Sequence, residues 1–338
     1  MILRRTSSIS KRLFSNQNAL QPLNERSLLE VNGPDASEFL QGLITNDIHH
    51  ISNSVGSMFA MFLNLKGRIL YDTIVYKTDK KDSYWLECDS AVSSALQKHL
   101  KIYKVRRKVN ISSLGNHKIH ALFSLNSDHQ QNVNILTGSY DTNAFPGTST
   151  DIKTHKDLLI FKDPRVSQLG FRIISSSNNV SNTIKDIIDC DINSSYKKIR
   201  YNLGIGEGIS DLLAGSSFPL ECNGDFLHGI SFHKGCYIGQ ELTARTYHTG
   251  VIRKRLMPLL FTKVPSSLPE NNSIIHDGVN LGKLRGIEGD VGIALLRIDK
   301  ALKFGNISVG DGGAKVIKPH WWPIELPKEK QETTHASI

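Results

Sequence analysis

Residues 230–246 read ISFHKGCYIGQELTART. A single thiol, Cys236, follows Gly235 directly and precedes Gly239 by three positions, with the cation Lys234 two residues before it. An isolated cysteine is most often inert core packing. Glycines add nothing to such packing, but they let a backbone approach a ligand closely. A nearby cation favours the thiolate, the form that attacks electrophiles and binds metals. Lys234 and Cys236 share a side if the segment is extended and diverge if it is helical. Together these neighbours make the stretch a functional loop centred on Cys236.

Downstream, residues 244–255 read as the start of a region of short strands and turns. Apolar runs at 256–261, 282–286, 292–296 and 314–317, separated by Gly, Pro and Asp, predict a small antiparallel barrel or sandwich. The sequence PHWWP at 319–323 is expected to pack its aromatics back on the body, and residues 328–338 read as a disordered tail.

Upstream, residues 27–31 predict a strand, 33–35 a turn with Asp35 as a helix cap, and 36–43 a helix burying Phe39, Leu40 and Leu43. A polar corner, Thr45-Asn46-Asp47, follows. Segments 58–65 and 68–77 predict a hairpin turning at 64–67. Asp72 stands among apolar neighbours there, so its carboxylate must be solvated at an edge or paired. A strand at 84–88, a helix at 91–103 and a strand at 104–111 complete an α+β alternation. A polar stretch from 124 to 156 separates this block from a second one. That block holds Asp163-Pro164-Arg165 and Leu169-Gly170-Phe171-Arg172, then a helix at 196–203 ended by a glycine-rich turn. No GxGxxG or Walker lysine supports a nucleotide fold.

Residues 1–24 contain no acid, but Arg4, Arg5, Lys11 and Arg12 lie among serines and apolar residues. This pattern predicts a mitochondrial transit peptide over 1–14, cut between Phe14 and Ser15. The net charge of +9, less the four leader cations, leaves +5. That excess suits an anionic ligand or acidic partner and is no nucleic-acid footprint. The basic runs at 104–108 and 253–255 read as solvated strand or loop edges. No apolar run approaches the ~20 residues that span a bilayer. Cys88, Cys190, Cys222 and Cys236 form no CxxC pair, so a cluster held by Cys236 needs ligands from a partner or a second copy.

The KGCYIGQE core of residues 234–241 resembles the Lys-Gly-Cys-aromatic-x-Gly-Gln-Glu signature of the YgfZ-type folate-binding family. Blocks at 39–47, 161–166, 169–172 and 218–223 resemble further family elements, so the likeness runs from about Leu28 to Pro323. The resemblance implies an α+β fold like the glycine-cleavage T-protein, a ring of domains enclosing a folate site. It implies a folate-binding region over 15–248, in two subdomains with a boundary near 112–156, and a carboxy-terminal β-barrel over 249–325, with 326–338 as tail.

For function the resemblance implies a mitochondrial matrix factor for maturation of [4Fe–4S] proteins. Its partners would be A-type scaffolds and client apoproteins of the aconitase and radical-SAM types, and its cofactors tetrahydrofolate and a transient Fe–S cluster. Cys236 would be the essential thiol, as cluster ligand or redox-sensitive group, with Lys234 and Arg245 favouring its thiolate and Gln240 and Glu241 orienting the loop. Asp72, Tyr103, Glu221 and Arg245 would contact the folate, Glu221 by accepting pterin N–H groups. T-proteins carry an acidic pair in the hairpin strand where this chain has Tyr71-Asp72. The missing carboxylate weakens the alternative, a folate-dependent one-carbon transferase, which needs positioned acid–base groups. A scaffold that only recruits partners is the third reading.

Overall fold

The computed structural model describes residues 18–52, 55–125, 153–185, 190–191 and 194–323. The predicted transit peptide, most of the polar 124–156 stretch and the predicted tail lie outside the described residues.

Strand β1 (Asn18–Pro22) is followed by β2 (Arg26–Asn32), helix α1 (Ala36–Gln41) and the hairpin β3 (Ser57–Leu63) and β4 (Ile69–Lys77). Next come β5 (Ser83–Asp89), helix α2 (Ser93–Lys104), β6 (Asn110–Ser113) and β7 (Lys118–Ser124). The second block holds β8 (Lys153–His155), β9 (Leu158–Lys162), β10 (Phe171–Ser175) and helix α3 (Tyr196–Leu203). Helix α4 (Gln240–Thr249) leads into β11 (Lys254–Lys263), β12 (Ser273–His276), β13 (Val279–Glu288), β14 (Val291–Arg297), β15 (Asn306–Val309) and β16 (Gly312–Val316).

These strands form three antiparallel sheets, ordered β3-β4-β5-β2-β6, β1-β7-β10-β9-β8 and β12-β13-β14-β11-β16-β15. The third is nearly closed. Its edge strands meet where the amide of Ser308 on β15 donates to His276 Nδ1 on β12 at 3.1 Å. Trp321 Nε1 donates to the Leu203 carbonyl at 2.8 Å and Trp322 is buried, so the PHWWP segment docks on the body as expected.

Three sequence expectations change. Asp35 precedes α1 but makes no side-chain cap; its carboxylate accepts from the Lys108 amide at 2.7 Å instead. Residues 104–109 are the end of α2 and a turn, and the strand starts only at Asn110, where pairing with Asn32 of β2 begins. Residues 244–249, expected to open a region of short strands and turns, lie in helix α4: Gly239 precedes it at φ +79°, and Gln240, Glu241, Leu242, Ala244 and Arg245 are good helix formers.

A buried ion network stitches the first two sheets together. Arg26 binds Glu87 at 2.9 Å and Asp72 at 3.1 Å. Glu207 receives Arg172 at 2.6 Å and Arg165 at 2.7 Å; Arg165 also binds Asp163, and Arg200 binds Asp211 at 2.8 Å. The Tyr76 hydroxyl donates to Glu87 in a short hydrogen bond. Burial alone would raise the Glu207 pKa, but Arg172, Arg165 and Arg200 hold it well below the ordinary carboxylate range.

Candidate functional site

The Cys236 loop is fastened to the first sheet's edge through backbone groups. Ser231 donates its amide to the Thr45 carbonyl at 3.0 Å, and Ile238 donates to Gly42 at 3.1 Å. Lys234 Nζ donates to three carbonyls, Gln41 at 2.7 Å, Ile44 at 2.8 Å and Asn46 at 2.7 Å. Helix α1 ends at Gln41, whose carbonyl needs a donor, and the ammonium supplies it while also satisfying two carbonyls, Ile44 and Asn46, of the segment that follows the helix. The same ammonium lies 5.0 Å from the Tyr237 ring centroid. Burial pushes the Lys234 pKa down to about 8, with Asp47 opposing the shift.

On the far side of the thiol, Gln240 Oε1 accepts from the Tyr237 amide at 3.1 Å, so Gln240 orients the loop. Gly239 abuts the hairpin turn: a Cβ there would sit 2.3 Å from the Asn64 carbonyl oxygen. A Cβ on Gly235 would meet nothing within 4 Å, so only Gly239 of the two makes a close backbone approach. Between these anchors the Cys236 side chain is exposed. Glu241 and Arg245 are exposed on α4, Glu241 in its first turn, where the helix dipole favours an acid.

The other three cysteines differ in setting. Cys88 and Cys222 are buried and Cys190 is half-buried. Burial raises the Cys88 thiol and pushes Cys222 up to about 12, so both stay protonated near neutrality.

The residues expected to hold folate do not converge. Asp72 is 4% exposed and paired, to Arg26 and to the Gly208 amide at 3.1 Å. Tyr103 lines an open cleft of about 770 Å³ beside the hairpin turn, with His99 and Arg68. Glu221 lies in a separate pocket of about 390 Å³ with Leu242, Thr246 and Lys254, and burial raises its pKa. Arg245 lines neither.

A third cavity, also about 770 Å³, lies between the Thr45-Asn46-Asp47 corner, β3 and the segment leading to Cys236. Met58, Phe59, Phe226, Ile230 and Phe232 give it an apolar wall. Phe232 stacks on Tyr247 of α4 at 3.6 Å between centroids and 11° between planes. Of its polar groups, Asn46 Nδ2 donates to the Phe59 and His228 carbonyls, and Asp225 is paired with Arg255 at 2.7 Å. Asp47 uses Oδ1 to accept from Gln41 and the His49 amide, and its carboxylate is among the groups lining the cavity. A flat heteroaromatic ring with an N–H edge fits this lining: aromatic walls for its faces and a carboxylate oxygen for its donors. Sequence reasoning marked the Asn46-Asp47 corner without giving Asp47 a role. It missed Phe232 and Tyr247, whose signal was two aromatics on opposite sides of the cysteine.

Residues 253–324 match the CAF17 C-terminal beta-barrel domain family. Over 321 residues the chain is 36% identical to the human protein "Iron-sulfur cluster assembly factor IBA57, mitochondrial", covering 89% of this chain and 84% of that one. The mouse protein of that name is likewise 36% identical at the same coverage, and a Neurospora crassa homologue is 37% identical over 74% of this chain and 57% of its own. Among solved structures, the glycine cleavage system aminomethyltransferase T of Bartonella henselae superposes with a TM-score of 0.68 at 14% identity, over 91% of this chain and 87% of that one. That likeness shows a T-protein-like fold.

Proposed function

Because the chain belongs to the family of mitochondrial iron–sulfur cluster assembly factors named IBA57, we propose that it supports [4Fe–4S] protein maturation in the mitochondrial matrix through the side chain of Cys236. The observation that carries this reading is the contrast among the cysteines. Cys236 is exposed on a loop fixed at Lys234, Ile238 and Gly239, whereas Cys88 and Cys222 are buried and held as thiols.

The cluster is cargo. Among the described residues no group of three or more His, Cys, Asp or Glu is arranged to hold a metal, so Cys236 supplies one ligand and a partner the rest. An A-type scaffold fits that demand, with aconitase-type and radical-SAM-type apoproteins as clients. Lys234 and Gln240 act by fixing the loop. All three ammonium protons of Lys234 go to carbonyls, so what it gives the thiol is position.

Tetrahydrofolate would be held in the cavity by the Asn46-Asp47 corner, with Phe232 and the Asp47 carboxylate among the residues that would hold its ring. When bound it would supply a one-carbon carrier. A transferase would need Asp72 for acid–base work, and that carboxylate is taken up by Arg26 and the Gly208 amide.

The test is Cys236→Ser in cells lacking the wild-type protein, reading aconitase activity beside glycine-cleavage flux at matched protein level. Aconitase loss with flux preserved supports the reading, and normal aconitase overturns it. Asp72→Asn does not separate assembly from transfer chemistry, because it also breaks a buried ion pair. Asp47→Asn with tetrahydrofolate titration tests the folate cavity directly.

A further inference from the structure

The basic run at 104–108 is a solvated turn, as expected, and it continues a basic stretch that begins at Lys98 on α2. The whole stretch carries Lys98, Lys101, Lys104, Arg106, Arg107 and Lys108 with no acid between them, and among the described residues none of the six has an ion-pair partner. Ile102 and Val105 stand among these cations at 64% and 81% exposure, and Leu65 at the neighbouring hairpin tip is 83% exposed.

Val105 holds φ +48°. That region suits glycine and is disfavoured for a β-branched residue. Here the chain keeps a strained valine whose side chain projects into water.

Beside the patch is the cleft of about 770 Å³ floored by Leu63 and Leu70 and walled by His99, Tyr103 and Arg68. Arg68 is preset: its guanidinium lies 4.3 Å from the Phe218 ring centroid and donates to the Ser216 carbonyl at 2.7 Å. A cleft accepts an inserted side chain, whereas a lipid headgroup surface requires no concavity.

We propose that the hairpin turn at 64–68, the end of α2 and the 105–108 turn form a docking surface for an acidic, amphipathic segment of a partner protein. Its apolar side chain enters the cleft, a second packs on Ile102 and Val105, and its carboxylates face the unpaired cations. Gly67 of this turn packs against the Gly239 carbonyl, so the docked partner would flank the Cys236 loop. The surface does not depend on the role of the thiol, and its test is binding alone.

The test uses the full chain and a fluorescein-labelled peptide of about 16 residues, rich in Glu and Asp, with Leu and Phe at helical spacing. Anisotropy is expected to show saturable binding that weakens as salt rises from about 50 to 300 mM. Lys101→Glu with Arg106→Glu and Arg107→Glu should weaken it by about tenfold or more. Val105→Gly should weaken it by about fivefold while the melting temperature holds or rises, because strain is relieved as contact area is lost. Equal binding by these variants overturns the proposal, as does equal binding of a peptide whose Leu and Phe are replaced by Ser. Charge-dependent capture on phosphatidylcholine vesicles containing cardiolipin, without peptide binding, also overturns it and makes the face a membrane surface.

Discussion

Lys234→Met removes the ammonium that three carbonyls share. A hydrogen bond from a charged donor contributes about 1.5–3 kcal/mol, and an orphaned buried acceptor costs about 1–3 kcal/mol. Two terms offset this sum. Burial disfavours the ammonium, as its lowered pKa of about 8 records, and water can reach part of a half-buried site. The net loss is expected to be about 2–4 kcal/mol. It should appear first as local opening, since the lysine ties the Cys236 loop to the end of α1 and the segment after it. The assay is amide exchange over 230–240 and 41–47 together with Cys236 alkylation by iodoacetamide at fixed pH. Faster exchange in both segments, with alkylation equal or faster, is expected. Slower alkylation with unchanged exchange would refute the reasoning, because the lysine would then act on the thiolate rather than on the backbone.

Gly239→Ala should cost about 2–4 kcal/mol, from the clash with the Asn64 carbonyl and the positive φ, whereas Gly235→Ala should leave the melting temperature unchanged. Glu207→Gln removes the partner of Arg165 and Arg172 and should destabilise by about 3–5 kcal/mol in urea titration; little change would show that the arginines find other acceptors. Burial depresses the His120 pKa from 6.5 to about 4, so the unfolded chain takes up this proton first as pH falls. Stability should therefore be intact above 6.5 and decline from there toward pH 4, by up to about 3 kcal/mol from this residue. His120→Gln should remove that part of the acid loss, and an unchanged pH profile would contradict it.

The local elements were legible because their signals are local. The hairpin of β3 and β4 announced itself by two apolar runs around Asn64-Gly67, and α3 ends at Gly204 in the left-handed conformation as the glycine-rich turn implied. Four of the six barrel strands, β11, β13, β14 and β16, followed from apolar runs separated by turn residues, whereas the short β12 and β15 did not. Pairing across long separations was not legible. Strand β1 lies beside β2 in sequence, yet it joins β7 in the second sheet, a choice made by complementary buried faces.

The site divides in the same way. Sequence alone determined that residues 230–246 are a distinctive stretch around one thiol and that Asp72 must be solvated or paired; it assigned a backbone need to Gly235 and Gly239 alike, and the structure keeps it for Gly239 only. Only the tertiary structure decided that Asp72 is paired in a buried ion network, that Lys234 reaches Gln41, Ile44 and Asn46, and that Tyr103, Glu221 and Asp72 fall in separate places. The physical reason is range. Turn preference and periodicity act over a few residues, whereas the partner of a buried charge or ammonium is whatever acceptor packing brings within 3 Å, here nearly two hundred residues away for Lys234.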